Sequence, residues 1–132
     1  MKTSRVVVMG AAVLSLLAIP VIVKAGAKYT YTVVTNGTTY AYGSMGDARN
    51  SSDPYQYIGC HASFNAQNAS YYAACDASDS TGLFFYCSTT DSRIVDIIQS
   101  ISDASYIYVG SSGGTCTYVD VQHYSYNRPR TP

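Results

Sequence analysis

The sequence contains no tryptophan and no glutamate, and only two of its 132 residues are histidines. Histidine is the side chain most easily tuned for proton transfer near neutral pH, so its scarcity argues against a catalytic site. Charged residues make up only 12% of the chain, and the basic ones form no surface large enough for nucleic acid. We therefore expect no nucleic-acid partner and assign no catalytic residue.

The start of the chain has the order of a secretory signal peptide. Basic residues precede an apolar run from Val6 to Val23, which small residues follow. A membrane anchor is the alternative interpretation, because the run reaches the lower limit for crossing a bilayer, but Pro20 interrupts it. We predict cleavage after Ala25, so that residues 1–25 are the signal peptide. Residues 26–132 would then form a single domain without stable membrane insertion.

All four cysteines, Cys60, Cys75, Cys87 and Cys116, follow the predicted cleavage site. An even number of cysteines after an export signal predicts disulfides and a secreted or periplasmic location. Zinc ligation is the alternative, but no two cysteines have the short spacing of a zinc site. Of the three pairings that four cysteines allow, we predict Cys60 with Cys75 and Cys87 with Cys116.

The first strands are marked by alternation of tyrosine, valine and threonine. The runs 28–34 and 38–43 flank Asn36-Gly37, a strong signal for a hairpin with a two-residue loop. Such a loop places Val33 opposite Tyr40. One face would then carry Tyr29, Tyr31, Val33, Tyr40 and Tyr42, and the other Thr30, Thr32, Val34, Thr39 and Ala41.

The middle of the chain predicts a loop followed by a second hairpin. Residues 44–54 are polar without a period, whereas 55–64 and 69–75 read as strands around a turn. If this turn centres between Gln67 and Asn68, Cys60 and Cys75 are directly opposed and close enough to bridge.

The pattern of the second half of the sequence predicts a turn at 76–82, a strand at 83–88, then a helix and a last hairpin. Isoleucines recur at helical spacing, at 94, 97, 98 and 101, and predict one amphipathic helix at about 91–102 with Thr90 as its cap. Strands at 106–110 and 115–126 would surround a turn at 111–114, and prolines at 129 and 132 end the pattern.

The fold class is therefore α+β, with a mainly antiparallel sheet of about seven short strands and two disulfides. The isoleucine stripe of the helix would pack on one face of the sheet.

Few residues carry a signal for chemistry. We interpret His61 and His123 as half-buried or surface histidines rather than catalytic ones. Asp120 and His123 do not predict a metal site, because three residues apart in a strand they lie on opposite faces. The glycine-rich stretch 110–114 lacks the lysine of a phosphate loop and reads as a hairpin turn. We expect no cofactor and no metal.

Asn36, Asn50 and Asn68 match the N-glycosylation pattern.

The fourteen tyrosines are the feature most open to a functional interpretation. Rigid rings with a hydroxyl give contact area at low entropic cost and suit binding surfaces. The alternative, which we favour from sequence alone, is that most of them pack in the core and across strands and that a minority are exposed.

Several short motifs resemble those of a family of short exported proteins of Gram-negative bacteria that has no assigned activity. They are Ala48-Arg49-Asn50-Ser51, Tyr57-Ile58-Gly59-Cys60, Cys87-Ser88, residues 98–108, Gly114-Thr115-Cys116-Thr117 and Tyr126-Asn127-Arg128-Pro129. The resemblance covers nearly all of residues 26–132. It implies a periplasmic or extracellular location and supplies no activity.

The leading functional hypothesis is a small exported non-enzymatic protein, a binding or structural module of the cell surface, coat or extracellular matrix. Its partner would be a cell-surface component, or a second copy paired through a hairpin edge. The alternative is a small secreted enzyme with His61 or His123 near its working site, or an inhibitor of a secreted enzyme that uses residues 44–54.

Overall fold

The computed structural model describes residues 26–128. The predicted signal peptide and the prolines at 129 and 132 lie outside the described residues. Within 26–128 the strands are β1 (Val34–Thr35), β2 (Tyr40–Ser44), β3 (Tyr57–Asn65), β4 (Ser70–Ser78), β5 (Phe84–Thr89), β6 (Tyr106–Ser112) and β7 (Thr115–Gln122). The helices there are α1 (Met45–Arg49) and α2 (Ser92–Ile98). The predicted α+β class is confirmed.

The seven strands form one sheet in the order β1-β2-β6-β7-β5-β4-β3. All neighbours are antiparallel except β5 and β7, which are parallel and share the single bridge Ser88–Thr115. The hairpin β6–β7 is thus inserted between β2 and β5. Strands β2 and β3 contact each other although they lie far apart in this order, because the sheet curls around its core.

The predicted register of the first hairpin is wrong. Val34 pairs with Tyr42, and a loop at 36–39 replaces the expected two-residue turn. The side-chain oxygen of Asn36 accepts the backbone N–H groups of Thr38, Thr39 and Tyr40, at 2.8–3.2 Å, which favours this longer loop. The observed register differs from the predicted one by an odd number of residues, so residues of β2 lie on the opposite face from the one predicted relative to the first strand. Val33 and Ala41 are buried on one face, and Tyr40 points outward on the other.

The predicted loop at 44–54 contains α1. Ser44 is the N-cap of this helix, and its hydroxyl accepts the backbone N–H of Asp47 at 3.3 Å. Asp47 and Ala48 are buried against the neighbouring strands β2 and β3. The capping pattern Ser-x-x-Asp at 44–47 is the sequence signal that predicts such a helix start.

Helix α2 is shorter than the predicted span of 91–102. Its N-cap is Asp91 rather than Thr90, and the Asp91 carboxylate accepts the backbone N–H of Arg93 at 3.0 Å. Val95 and Ile98 form its buried side, whereas Ile97 is 41% exposed. The helix packs on one face of the sheet, as predicted, over β3, β4 and β7.

Two further boundaries differ from the prediction. Strand β4 continues to Ser78, so the turn predicted at 76–82 occupies only 79–82. In the last hairpin the turn is Gly113-Gly114 alone, with φ of +58° and +79°, and β7 ends at Gln122 rather than at 126. Glycine adopts these left-handed angles without a steric penalty.

Both predicted disulfides are confirmed. Cys60 and Cys75 are directly opposed in β3 and β4, with a Cα–Cα distance of 4.0 Å. Cys87 of β5 is bonded to Cys116 of β7. Because Cys75 is also paired in register with Cys87, the four cysteines form one row across β3, β4, β5 and β7 on the core side of the sheet.

The two disulfides close loops of different length and join different strand pairs, so their removal should lower the free energy of unfolding by different amounts. Loop entropy assigns about 3 kcal/mol to the closure of 15 residues by Cys60–Cys75 and about 3.5 kcal/mol to the closure of 29 residues by Cys87–Cys116. The second bond also supports a strand pair with only one bridge. We expect the double variant Cys87→Ala/Cys116→Ala to lose more free energy of unfolding in urea than Cys60→Ala/Cys75→Ala, and an equal or smaller loss would contradict this.

Candidate binding surface

Nine of the fourteen tyrosines form one continuous surface, which we call the tyrosine surface. Its members are Tyr29, Tyr31, Tyr40, Tyr42, Tyr106, Tyr108, Tyr118, Tyr124 and Tyr126. Each ring centroid lies 4.8–6.5 Å from that of at least one other member. Such spacing is typical of interacting aromatic pairs, so the rings form a connected layer on the outside of the sheet.

The centre of this surface is a set of stacked rings on β2 and β6. Tyr42 is opposite Tyr108 in register, and their rings are parallel within 7° at 6.0 Å. Tyr40 stacks on both of them, at interplanar angles of 16° and 11°. Residue 110 of β6 is a glycine opposite Tyr118, so no side chain separates Tyr118 from the ring of Tyr108 at 5.7 Å.

The two chain ends complete the tyrosine surface. The backbone N–H of Tyr29 donates to the carbonyl oxygen of Tyr126 at 3.4 Å, and their rings meet edge to face at 5.1 Å. Tyr124 stacks on Tyr126 at 4.8 Å, and Tyr31 contacts Tyr106 of β6 at 5.2 Å. Residues distant in the chain therefore contribute to one surface.

A buried carboxylate in α1 holds these chain ends. The side chain of Asp47 is 1% exposed, and its Oδ2 accepts the backbone N–H of Tyr31 at 2.7 Å. Its Oδ1 has no hydrogen-bond partner within residues 26–128, but it lies 3.7 Å from Nη1 of Arg128. A buried charge is tolerated when a counter-charge and a hydrogen bond are nearby, so Asp47 positions both ends of the tyrosine surface.

A shallow groove of about 200 Å³ runs along β6 and β7 within the tyrosine surface. Its walls include Tyr106, Tyr108 and Tyr118, and polar groups come from Asp120 and Gln122. The Gln122 side-chain amide donates to the Asp120 carboxylate at 2.6 Å. Burial, followed by the neighbouring tyrosines and Asp120, raises the pKa of Tyr106, so its hydroxyl stays protonated to a higher pH than that of a free tyrosine.

The expectation that most tyrosines pack in the core with a minority exposed is wrong, although rings do pack across strands as expected. Eight of the fourteen are exposed and none is buried. In β6, tyrosine alternates with Ile107 and Val109, which are fully buried, and in β2 it flanks fully buried Ala41. Because aliphatic residues occupy the core side, alternation sends the rings outward. This pattern is the sequence signal that predicts the tyrosine surface.

The two histidines do not share a site. His61 is exposed on the end strand β3, on the opposite face from Cys60, and its ring lies 5.8 Å from Tyr72. His123 follows β7, and its Nδ1 lies 3.2 Å from Oγ of Ser105 and 3.3 Å from Oγ of Ser102. Ser105 is fully buried, so no substrate can reach it as a nucleophile.

The remaining candidate residues occupy separate places. Asp120 points outward from β7, whereas His123 lies beyond the strand end, and residues 26–128 contain no group of three or more possible metal ligands. In the same range no helix is long and apolar enough to cross a membrane. Asn36 lies in the first hairpin loop, Asn50 follows α1 and Asn68 lies in the exposed β3–β4 turn, and their glycosylation stays a prediction.

A second concave surface, the α1 groove, lies between α1 and the start of β3. It has a volume of about 370 Å³, and its lining includes Met45, Ala48, Tyr57 and Ile58. One wall is the loop at 51–56, in which Asp53 accepts the side-chain amide and backbone N–H of Gln56 and the N–H of Tyr55. These bonds lower the pKa of Asp53 to about 2, so the loop keeps its carboxylate acceptor even in moderately acidic solution.

Compared with protein-family models, curated proteins and solved structures, the chain matches none. The resemblance to short exported proteins of Gram-negative bacteria therefore stays a prediction.

Removal of the Asp47 carboxylate tests its role at the chain ends. We expect Asp47→Ala to lower the free energy of unfolding by about 2–3 kcal/mol, because the N–H of Tyr31 loses its acceptor and Arg128 its counter-charge. Asp47→Asn keeps an acceptor oxygen and should cost about half as much. Urea denaturation measures both, and equal losses in the two variants would contradict the role of the acceptor.

Proposed function

We propose that the protein is an exported, non-catalytic binding module that attaches to a hydroxyl-rich, uncharged polymer of the cell surface or extracellular matrix, namely a polysaccharide. The observation that carries this proposal is the tyrosine surface. A connected layer of aromatic rings outside the core is unusual for a small protein, because apolar surface is normally buried, and such exposed patches mark interaction sites.

The rings match the chemistry of sugars in two ways. Their flat apolar faces can pack against the C–H faces of pyranose rings, while their hydroxyls and the polar groups of Asp120 and Gln122 can bond to sugar hydroxyls. The backbone register and ring stacking already fix Tyr40, Tyr42 and Tyr108 in position. Little side-chain entropy is therefore lost on binding.

The charge distribution favours an uncharged ligand. Residues 26–132 contain five lysines and arginines against eight aspartates, a net charge of −3, which disfavours acidic polymers. Asp120 is the one charged residue that lines the groove on β6 and β7. A neutral ligand can use this carboxylate as a hydrogen-bond acceptor without needing a counter-charge.

The two disulfides fit an oxidising compartment. An exported protein would encounter an extracellular polymer in such a compartment. Export itself is part of the proposal and rests on the predicted signal peptide. The contacts of His123 do not favour the enzymatic alternative: Ser105 is buried, and the exposed Ser102 contacts both Ser105 and His123 in one local hydrogen-bond network.

Polysaccharide co-sedimentation tests the proposal with a matched pair of variants. Tyr118, in the groove, is 55% exposed and Tyr55, outside the tyrosine surface, is 56% exposed. We expect the protein to sediment with at least one of the neutral polymers cellulose, chitin and β-1,3-glucan, and Tyr118→Ala to weaken that binding about tenfold, as expected for the loss of one stacking ring. Tyr55→Ala should bind like the unmodified protein.

Thermal denaturation of both variants checks that each remains folded. Failure to bind any of the three polymers, or equal losses in Tyr118→Ala and Tyr55→Ala, would show that the tyrosine surface is not a polysaccharide-binding site.

A further inference from the structure

Strand β3 is at one end of the sheet and pairs only with β4 within residues 26–128. It has nine residues, Tyr57–Asn65, with no charged side chain and no proline, and its register with β4 is unbroken. Natural edge strands are normally short or carry charges, prolines or bulges, which prevent pairing with another chain. Strand β3 itself has none of these protective features. Helix α1 contacts it, but the α1 groove leaves space beside Ile58. We therefore infer that the free edge of β3 is accessible to a further strand.

The register identifies which backbone groups face this open edge. The Cα atoms of Cys60 and Cys75 are 4.0 Å apart, the close spacing of a pair that is not hydrogen-bonded. Because the pattern alternates, the N–H and C=O groups of Ile58, Cys60, Ala62 and Phe64 point away from β4. The N–H and C=O groups of Gly59, His61 and Ser63 point toward β4 and form the hydrogen bonds between the two strands.

An exposed aromatic pair, Phe64 of β3 and Tyr71 of β4, lies at one end of β3, and a concave surface lies at the other end. Phe64 is 54% exposed and Tyr71 is 41% exposed, with ring centroids 4.9 Å apart. The α1 groove lies at the start of β3 and includes Ile58. Phe64 and Ile58 are an even number of residues apart, so they lie on the same face of the sheet.

We propose that two copies of the protein form a dimer by antiparallel pairing of β3 with β3 about a two-fold axis at His61. This register pairs all the outward-facing backbone groups of Ile58, Cys60, Ala62 and Phe64. It also places Phe64 of each copy beside Ile58 of the other, at the α1 groove. A contact that each copy makes identically is the form of interface that a two-fold axis requires.

The charges and the buried area both agree with a second copy as the occupant. No like charges meet along β3, and the charged residues that line the α1 groove, Arg49 and Asp53, have opposite signs. The strand is about 30 Å long, so edge pairing together with the two aromatic rings buries about 1,000 Å² in total. This area is near the lower limit for a specific interface, and we expect a reversible dimer with a micromolar dissociation constant.

The dimer is independent of the proposed function, because the strands that carry the tyrosine surface, β2, β6 and β7, are not part of this edge. Pairing leaves both tyrosine surfaces exposed, and two linked sites increase the apparent affinity for a repeating polymer. Loss of the dimer would weaken attachment without abolishing it, whereas Tyr118→Ala acts on each site.

Sedimentation velocity of the oxidised protein from about 1 µM to 1 mM tests the dimer. We expect the monomer at the lower limit and the dimer at the upper. His61→Lys places two lysines opposite each other at the axis and should raise the dissociation constant at least tenfold. Ser112→Lys adds the same charge to an exposed residue of β6 and should leave it unchanged.

Amide hydrogen exchange, followed by NMR at the two concentrations, identifies the edge used. With dimerisation, the amides of Cys60, Ala62 and Phe64 should gain protection, whereas those of His61 and Ser63, already bonded to β4, should not change. A monomer at every concentration would overturn the proposal. So would a dimer that lacks this alternation or that resists His61→Lys.

Discussion

The junction between β5 and β7 is the constraint on which the rest of the fold depends. It divides the sheet into a half formed by β1, β2, β6 and β7 and a half formed by β3, β4 and β5, and only one bridge joins them within residues 26–128. The Cys87–Cys116 bond lies beside that bridge and links the halves covalently. Helix α2 packs over strands of both halves, so it reinforces the same junction with apolar contacts. The tyrosine surface lies mainly on one half and the open edge of β3 on the other.

The outward position of the tyrosines follows from competition for a small core. A domain of this size has room for few large side chains, and Phe85, Ile107, Val95 and Val109 are the largest that are fully buried. Strands whose alternate residues are alanine, isoleucine or valine fill the inner face, and the rings are left outside. There they stack on each other, which reduces their contact with water, while Tyr29, Tyr118 and Tyr124 stay more than half exposed.

The sequence predicted the number of strands, the antiparallel pairing and both disulfides, because alternation and turn residues are local signals. The placement of Cys60 opposite Cys75 followed from a single turn centre. The first hairpin register could not be predicted in this way, because the side chain of Asn36 stabilises a longer loop than Asn-Gly normally favours. Helix α1 was missed because it is very short and lacks a hydrophobic period. The outward position of the tyrosines in β2 and β6 is indicated by the aliphatic residues between them, but the joining of these strands into one surface depends on pairings between residues distant in the chain.

The row of cysteines also has a consequence for how the protein matures. Cys75 has a cysteine directly opposite on each side, Cys60 on β3 and Cys87 on β5. A first bond between Cys75 and Cys87 would leave Cys60 and Cys116 about 14 Å apart, three strand spacings, which no disulfide can span. Only thiol–disulfide exchange could rescue a chain oxidised in that way. The pairing register of β4 with β5 therefore brings together two cysteines whose bond would be incompatible with the native disulfides.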